Sequence, residues 1–293
     1  MNISMPKVFV TGGNGQLAYA YSQLISSNSN LSYMRRNYNV HILSKNLLDI
    51  TNLEHFKSYI KKNGEPDIII NCAAMTNVDK AELNSNLANE INAFSIKKIL
   101  SHFNGLFIQI STDYVFDGEA GGYLSTDIPN PINAYGVSKT IGEQIVQDFA
   151  TSWIIIRAGG LFSMSTANNF YAWVINSLKR NELINVVEDQ VCNPVSTTDV
   201  AQYIHDIQSN DLARNKICHI GSNRQISKYN FALEIAKAWG FDSRNINPIS
   251  TEELIKLNYN YIAQRPKNSS LDLSGENDKE CNLNDSIELL RNY

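Results

Sequence analysis

Three side chains of this chain have the types and the spacing to move a proton to or from a carbonyl oxygen: Thr112, Tyr135 and Lys139. Tyr135 and Lys139 are four residues apart in a stretch with a helical pattern, so both project from one helix face. A phenol near pKa 10 is a weak acid at neutral pH, and a nearby ammonium would lower its pKa towards the working range. Lys139 could do this while also bonding a nicotinamide ribose, and Thr112 would hold the substrate oxygen. The group predicts hydride chemistry at a carbonyl carbon with an NAD(P) cofactor.

The position of this group carries more weight than the Y-x-x-x-K pair, which chance gives about once in a chain like this. Ser111-Thr112-Asp113 ends a predicted buried strand, upstream of Tyr135. Open parallel sheets bind their ligands at the carboxyl ends of the strands. We therefore expect Thr112 and Tyr135 to converge beside a bound nicotinamide. The alternative is purely structural, with Tyr135 at a helix start, Lys139 in solvent and Thr112 satisfied at a strand end.

A glycine-rich turn follows the first predicted strand and would bind the dinucleotide. Its sequence is Thr11-Gly12-Gly13-Asn14-Gly15-Gln16-Leu17-Ala18. The glycines permit a tight strand-to-helix turn and let a pyrophosphate approach the backbone. The free N–H groups of the following helix point at that anion. We predict that Gly12, Asn14 and Gly15 contact the cofactor; the alternative is an ordinary glycine-rich turn.

The end of the second predicted strand bears on the choice of dinucleotide. NAD-selective sites usually carry a carboxylate there, for the ribose 2′-hydroxyl. Here the strand ends Leu43-Ser44-Lys45, without a carboxylate. A hydroxyl followed by a cation suits a 2′-phosphate, so Ser44 and Lys45 favour NADPH, with NADH as the second choice. Lys45 as a solvated loop charge is the competing interpretation.

The pattern of apolar residues predicts how these motifs are held. Short β-branched runs alternate with amphipathic stretches, as in βαβ units on a parallel sheet. The predicted strands are Lys7–Thr11, Val40–Ser44, Asp67–Cys72, Leu106–Ser111, Trp153–Arg157 and Ile217–Ile220. The predicted helices are Gln16–Ser26, Asn52–Lys62, Asp79–Phe103, Ala134–Phe149, Asn169–Arg180, Thr198–Ser209, Ser227–Trp239 and Asp285–Arg291, with Asn52 and Asp79 as helix starters.

These elements predict an α/β fold, a Rossmann-type doubly wound parallel sheet with a smaller mixed carboxyl-terminal substrate lobe. Residues 1–158, with roughly 191–220, would form the dinucleotide-binding domain. Residues 159–190 and 221–293 would form the substrate lobe. From Asn268 onwards we expect a loop and one last helix.

Composition narrows the class of protein. The chain has 293 residues, of which 43% are hydrophobic and 18% charged, which suits a globular protein with a sizeable core. The net charge is −4 and no Lys/Arg block is long enough to follow a phosphate backbone, so nucleic acid is not expected as a partner. We expect neither a signal peptide nor a membrane span. The four cysteines are scattered without a C-x-x-C pair, which favours reduced thiols in a cytoplasm and no metal site.

At this point the chain resembles the extended short-chain dehydrogenase/reductase family, and within it the dTDP-4-dehydrorhamnose reductase branch. The resemblance runs from the glycine turn to about Leu273. It is carried by Asn71-Cys72-Ala73-Ala74-Met75-Thr76-Asn77-Val78-Asp79-Lys80-Ala81-Glu82, Ser111-Thr112-Asp113-Tyr114-Val115-Phe116, Tyr135-Gly136-Val137-Ser138-Lys139 with Gly142-Glu143, Asn168-Asn169-Phe170, Asp189-Gln190, and Arg265-Pro266 before Asn268-Ser269.

The resemblance implies a set of roles for these positions. Tyr135 would donate the proton with Lys139 as its partner, in the reduction of a 4-keto-6-deoxyhexose carried on a nucleoside diphosphate. The implied cofactor contacts are Gly15, Gln16 and Leu17 at the pyrophosphate, Asp49 and Ile50 near the adenine, and Ala73, Ala74 and Met75 near the ribose and linker. The implied substrate contacts are Thr112 and Asp113 at the sugar and Asn169 and Arg265 at the nucleotide-diphosphate end. We expect a nucleotide-sugar substrate and, as a candidate assembly, a homodimer.

One departure from this branch affects the sugar pocket. The branch usually has a Trp that packs on the sugar, and Gly160 stands at that position here, so the pocket is expected to be reshaped. Dehydratases of the wider family carry Thr-Asp-Glu, whereas Tyr114 follows Asp113, which argues against dehydration. Two other hypotheses remain: a nucleotide-sugar epimerase of the same fold, and a non-catalytic regulatory subunit that binds dinucleotide.

Overall fold

The computed structural model describes residues 5–26, 38–164, 169–257 and 261–292. Its centre is a parallel sheet of seven strands in the order β13-β10-β5-β4-β3-β1-β2. These strands are β1 (Lys7–Thr11), β2 (Asn39–Leu43), β3 (Ile68–Asn71), β4 (Leu106–Thr112), β5 (Ser152–Ala158), β10 (Lys216–Ser222) and β13 (Lys279–Cys281). Six short strands form pairs outside it: β6 (Leu161–Phe162), β7 (Ile184–Val187), β8 (Val191–Cys192), β9 (Val195–Ser196), β11 (Ile226–Ser227) and β12 (Ile246–Ile249).

Helices cover both faces of the sheet. They are α1 (Gln16–Ser26), α2 (Leu53–Asn63), α3 (Val78–Leu83), α4 (Ser85–Asn89), α5 (Ser95–Leu100), α6 (Ala134–Phe149), α7 (Phe170–Lys179), α8 (Thr197–Gln208), α9 (Lys228–Trp239), α10 (Thr251–Leu257) and α11 (Leu283–Arg291). Successive residues of each central strand enter opposite cores, because side chains alternate along a strand. Val8 packs with α1 and α8, whereas Phe9 packs with α2, α5 and α6. This explains the continuously apolar strands that the sequence contains.

The prediction of one helix over Asp79–Phe103 is wrong. The segment breaks at Asn84, whose non-helical backbone (φ −138°, ψ 56°) separates α3 from α4, and a π-helical turn over Glu90–Phe94 separates α4 from α5. Within this turn Asn92 faces inward, donating to Met75 O and Ser138 Oγ and accepting from Met75 N. The π-helical turn interrupts the α-helical pattern, and its Asn92 binds the loop after β3 and the helix that carries Tyr135.

The two predicted helix starters have different outcomes. Asn52 caps α2 through its side chain, as predicted. Asp79 does not start α3, because Asn77 accepts from Lys80 N and is the cap. The Asp79 carboxylate instead binds the loop around Arg265.

The carboxyl-terminal part differs from expectation in one respect. Lys279–Cys281, in the tail expected to hold only a loop and a helix, adds an edge strand to the central sheet beside β10.

A separate core joins α7, α9 and α11 with β7 and β12. No helix among the described residues is both long and apolar enough to cross a bilayer.

Candidate active site

The glycine turn fits between the ends of β2 and β3. Gly12 has a φ of +69°, and a Cβ placed on it would lie 2.7 Å from Ala73 N. A Cβ on Gly13 would lie 2.8 Å from Ser44 N. Only glycine suits these two positions, since a side chain would meet backbone in both. The turn thereby brings Gly12, Ser44 and Ala73 together at one edge of the sheet.

A ladder of buried polar side chains runs under this edge, across β1, β3 and β4. Thr11 Oγ1 donates to Asn71 Oδ1 at 2.6 Å, and Asn71 Nδ2 donates to Gln109 Oε1 at 2.8 Å. Gln109 Nε2 then donates to Ile110 O at 2.8 Å. The ladder was not predicted, although a polar residue within or at the end of each of three otherwise apolar strands was a visible signal. It connects the glycine turn to the carbonyl that holds Lys139.

Lys139 lies beneath the candidate site with its side chain buried. Its ammonium donates to Ile110 O at 2.5 Å, the same carbonyl that Gln109 uses. Burial lowers the pKa of Lys139 to about 8, against the opposing effect of the Glu143 carboxylate and Cys72. The solvated Lys139 of the structural alternative is therefore wrong.

Tyr135 is the first-turn residue of α6 that meets β4, as predicted. Its ring meets that of Tyr114 edge-on at 6.1 Å between centroids. Burial raises the pKa of Tyr135 to about 12, and the Thr112 hydroxyl nearby opposes this shift. The predicted lowering by Lys139 is wrong in this structure, because the ammonium bonds a carbonyl and burial disfavours the phenolate. A phenol with a raised pKa rests in its protonated form, as a proton donor must.

Asp113 sits directly beside this pair and is buried. It accepts from Ser269 Oγ at 2.6 Å and from Thr112 Oγ1 at 3.0 Å. Thr112 Oγ1 also accepts from Tyr114 N at 3.2 Å. A hydroxyl has one proton to donate, so in this structure Asp113 takes the proton of Thr112. Burial raises the pKa of Asp113 to about 6.

Arg265 lies near Asp113 but its guanidinium already has an acidic partner. Nη1 and Nη2 donate to the two carboxylate oxygens of Asp79 at 2.7 and 2.6 Å. The guanidinium also stacks on the Tyr261 ring, 4.2 Å from its centroid. Burial would raise the pKa of Asp79, but hydrogen bonds from Arg265, Ala263 N and Ile262 N lower it to about 2.

Other predicted site residues occupy the rim. Gly160 lies next to Cys192, whose sulfur would be 3.2 Å from a Cβ at that glycine. Asn169 caps α7 by accepting from Ala172 N, and it donates to Ser163 O at 3.0 Å. Ser163 Oγ in turn donates to Gln16 Oε1 at 3.0 Å, which places Asn169 beside the glycine turn.

The residues predicted near the adenine lie together after β2. Lys45 Nζ is 3.6 Å from Asp49 Oδ2, and the Lys45 side chain is 77% exposed. Asp49 also accepts from Thr51 N and Oγ1, while Ile50 is buried. Groups of three or more His, Cys, Asp or Glu able to hold a metal ion are absent from the described ranges.

Several residues of the site were missed from the sequence. The buried pair Arg157–Glu143, with Nη2 and Oε2 2.8 Å apart, supports α6 from below, and Glu143 also accepts from Ser111 Oγ. Lys228 and Gln190 lie beside Asp113 and Arg265 and are hydrogen bonded to each other at 2.7 Å. The Asp189-Gln190 motif was a signal for the latter, whereas a single Lys at a helix start gives none.

A seven-stranded parallel sheet with this glycine turn, and with Tyr135 and Lys139 beside the end of β4, is the arrangement of the extended short-chain dehydrogenase/reductase class. The family model described as "RmlD substrate binding domain" matches residues 6–282, and the chain belongs to this family.

Individual relatives agree with this assignment. A dTDP-4-dehydrorhamnose reductase of Aggregatibacter actinomycetemcomitans is 31% identical over 278 residues, 92% of each chain. The crystal structure of a dTDP-4-dehydrorhamnose reductase from Bacillus anthracis, in complex with NADP, superposes with a TM-score of 0.86 at 31% identity, covering 98% of this chain and 99% of that one. The methionine adenosyltransferase 2 subunit beta of Mus musculus is 29% identical, covering 94% of this chain and 82% of its own.

Proposed function

We propose that this chain is an NADPH-dependent reductase of a nucleoside-diphosphate 4-keto-6-deoxy sugar, similar to dTDP-4-dehydrorhamnose reductase, in which Tyr135 protonates the C4 oxygen. The observation that carries the proposal is the convergence of Tyr135 with Thr112 at the end of β4, where the buried Lys139 of the same helix donates to Ile110 O of that strand. Its relatives named as dTDP-4-dehydrorhamnose reductases match over nearly the whole chain. Fold alone would not support this assignment, because one fold hosts many activities.

The residues around the glycine turn fit a dinucleotide. Gly12 and Gly13 let the tight turn pack against the backbone at Ala73 and Ser44, because a Cβ on either glycine would meet that backbone. Gly15, Gln16 and Leu17 would hold the pyrophosphate, Asp49 and Ile50 the adenine, and Ala73, Ala74 and Met75 the ribose and linker. The Bacillus anthracis relative is described in complex with NADP, which favours NADPH over NADH. The bound cofactor would supply the hydride.

The proton is the part of the reaction that the chain itself supplies. In the proposed pose the substrate C4 oxygen accepts a hydrogen bond from Tyr135 Oη. The Thr112 hydroxyl, which donates to Asp113 in this structure, would turn to the same oxygen. As negative charge develops on that oxygen, the phenol, kept protonated by its raised pKa, transfers its proton. For the resulting phenolate to be stabilised, the Lys139 ammonium would turn from Ile110 O towards the phenol when cofactor and substrate are bound. Asp113 would bond a neighbouring sugar hydroxyl, with Ser269 fixing its carboxyl.

The substrate lobe is proposed to consist of residues 159–190 and 221–293, although β13 from that range lies in the central sheet. Asn169, Gly160 and Arg265 would contact the substrate from this lobe. Gly160 leaves open the side of the pocket next to Cys192, so we propose a sugar other than the one that a Trp at this position would cover. We further propose a cytoplasmic location and a homodimer.

The test is a panel of nucleoside-diphosphate 4-keto sugars with NADPH and NADH, read by cofactor absorbance and product stereochemistry. A reductase consumes one NADPH per sugar, whereas an epimerase returns product without net cofactor loss. The mouse subunit relative makes a regulatory role the other alternative. Tyr135→Phe distinguishes a catalytic role from a regulatory one. For a catalytic role we expect a loss of activity exceeding about a hundredfold with NADPH affinity retained. Full biological activity of Tyr135→Phe would sink the catalytic assignment.

A further inference from the structure

Lys228, at the substrate side of the site, has only a neutral hydrogen-bond partner among the described residues. Lys228 is the first residue of α9, and its Nζ donates to Gln190 Oε1 at 2.7 Å. It takes no part in the ion pairs found between described residues. Arg265, by contrast, is neutralised by Asp79. Lys228 therefore supplies the positive charge of this region that no carboxylate offsets directly.

The position of this ammonium is fixed by a buried amide. Gln190 Nε2 donates to Tyr261 Oη at 2.6 Å and to Thr251 Oγ1 at 2.9 Å. An amide nitrogen has two hydrogens, so both are used and Oε1 is the atom left to receive Lys228. The backbone adds a second tie, because Lys228 N donates to Gln190 O at 3.0 Å. The side-chain and backbone hydrogen bonds to Gln190 together hold Lys228 in one position, unlike a freely solvated lysine.

Lys228 lies among residues that include those proposed to contact the substrate. The pairing of β8 with β11 places Cys192 opposite Ile226, two residues before Lys228. Asp113, Cys192, Arg265 and Asp189 are the charged or titratable groups close enough to act on the ammonium. Asp189 is bound to Thr251 N and Oγ1, and Asp113 to Ser269 and Thr112. Lys228 is thus within electrostatic reach of both Asp113, proposed to lie at the sugar, and Arg265, proposed to lie at the nucleotide diphosphate.

The helix that begins at Lys228 makes a cation there unfavourable unless an anion joins it. The first turn of α9 is the positive end of the helix dipole, and Arg265 adds like charge. An anionic ligand would offset both repulsions at once. We propose that Lys228, positioned by Gln190, is a substrate-binding residue for a phosphoryl oxygen of the diphosphate; this rests on the proposed function.

The test measures binding without turnover, by titration calorimetry with thymidine diphosphate, uridine diphosphate and free thymidine. Lys228→Met should weaken at least one diphosphate more than tenfold and leave thymidine unchanged. Lys228→Arg, which keeps the charge, should restore most of the affinity. Lys237→Met is the matched control, since it removes an exposed lysine from the same helix. Thermal unfolding of each variant checks that the fold is kept.

The other outcomes overturn the proposal in distinguishable ways. If the unaltered chain binds a diphosphate and Lys228→Met binds it equally well, Lys228 does not hold the diphosphate. If in that case only the complete nucleotide sugar is weakened, the ammonium contacts the sugar instead. If the unaltered chain binds neither diphosphate, the proposed function is wrong as well.

Discussion

Asp79 and Arg265, 186 positions apart in the chain, form a two-pronged ion pair in which Nη1 and Nη2 lie 2.7 and 2.6 Å from the two carboxylate oxygens. The same carboxylate accepts from Ile262 N and Ala263 N at 2.8 and 3.0 Å. One aspartate after β3 therefore holds both the backbone and the cation of the loop that precedes Ser269. The paired geometry fixes the plane of the guanidinium, which a single hydrogen bond would not.

This relationship predicts that Asp79 and Arg265 act as one unit in substrate binding. Asp79→Ala and Arg265→Ala should each raise KM for the nucleotide sugar at least about tenfold and leave KM for NADPH within about twofold. The double variant should be little worse than either single one, because each removes the same arrangement. Steady-state kinetics on the four proteins measures this coupling. Losses that multiply in the double variant would show that the two residues work independently.

The buried ammonium of Lys139 predicts an alkaline limit to activity. Its pKa is lowered to about 8, so the charge that would stabilise the Tyr135 phenolate is present below pH 8 and lost as the pH rises through that value. We expect kcat/KM, which reports on the free enzyme, to fall above about pH 8. Lys139→Met should lower kcat/KM more than about a hundredfold at pH 7 and remove this limb. A rate that stays flat to pH 9.5 in the unaltered chain would contradict the assignment.

The sequence was sufficient for elements whose pattern is local. β1, α1 and α6 have the predicted bounds, because alternating cores and helical periodicity are written into neighbouring residues. β13 was not predicted, since Lys279 and Glu280 are exposed at the sheet edge and Cys281 alone is buried. Its pairing depends on β10, and a three-residue polar stretch carries no period of its own.

The site residues also differ in whether their signal is local in the sequence. Thr112, Tyr135 and Lys139 were identified because a strand end and a helix start are both local features, and the structure brings them together. Lys228 could not be identified, because its significance comes from Asp113 and Arg265, which are distant in sequence. The direction of the Tyr135 pKa shift was also beyond the sequence, since it depends on burial and on the carbonyl that binds Lys139.

The buried pair Arg157–Glu143 predicts a large effect on stability. Its side chains are 1% and 2% exposed, and the guanidinium lies 5.1 Å from the centroid of the Phe116 ring. Glu143→Gln leaves the arginine charge buried without its partner, so the free energy of unfolding should fall by about 3–5 kcal/mol. Replacing both, as Glu143→Leu with Arg157→Met, should cost less than Glu143→Gln alone. Urea unfolding measures all three, and a loss below about 1 kcal/mol for Glu143→Gln would disprove the expectation.

The position of Lys45 predicts a preference for NADPH over NADH. Its side chain is 77% exposed and 3.6 Å from Asp49, so it can turn towards a 2′-phosphate at little cost. Lys45→Ala should raise KM for NADPH about five- to tenfold and leave KM for NADH unchanged, measured with the same sugar. Lys57→Ala is a control, because that lysine is also exposed and pairs with a nearby carboxylate. Equal values for Lys45→Ala and the unaltered chain would mean that Lys45 is only a solvated charge.

The raised pKa of Asp113 predicts that the free energy of unfolding falls as the pH rises. Its folded pKa, raised by burial to about 6, exceeds the unfolded value of 3.8, so the native chain binds more protons between these values. The free energy of unfolding therefore falls as pH increases from about 4 to 6, by about 3 kcal/mol at most for this group. Asp113→Asn keeps an acceptor oxygen for Ser269 but cannot ionise, so its stability relative to the unaltered chain should increase over that window and then level off. Chemical unfolding at pH 4, 5, 6 and 7 measures the difference. A difference independent of pH would show that the pKa of Asp113 is the same in the folded and the unfolded chain, and would contradict the raised pKa.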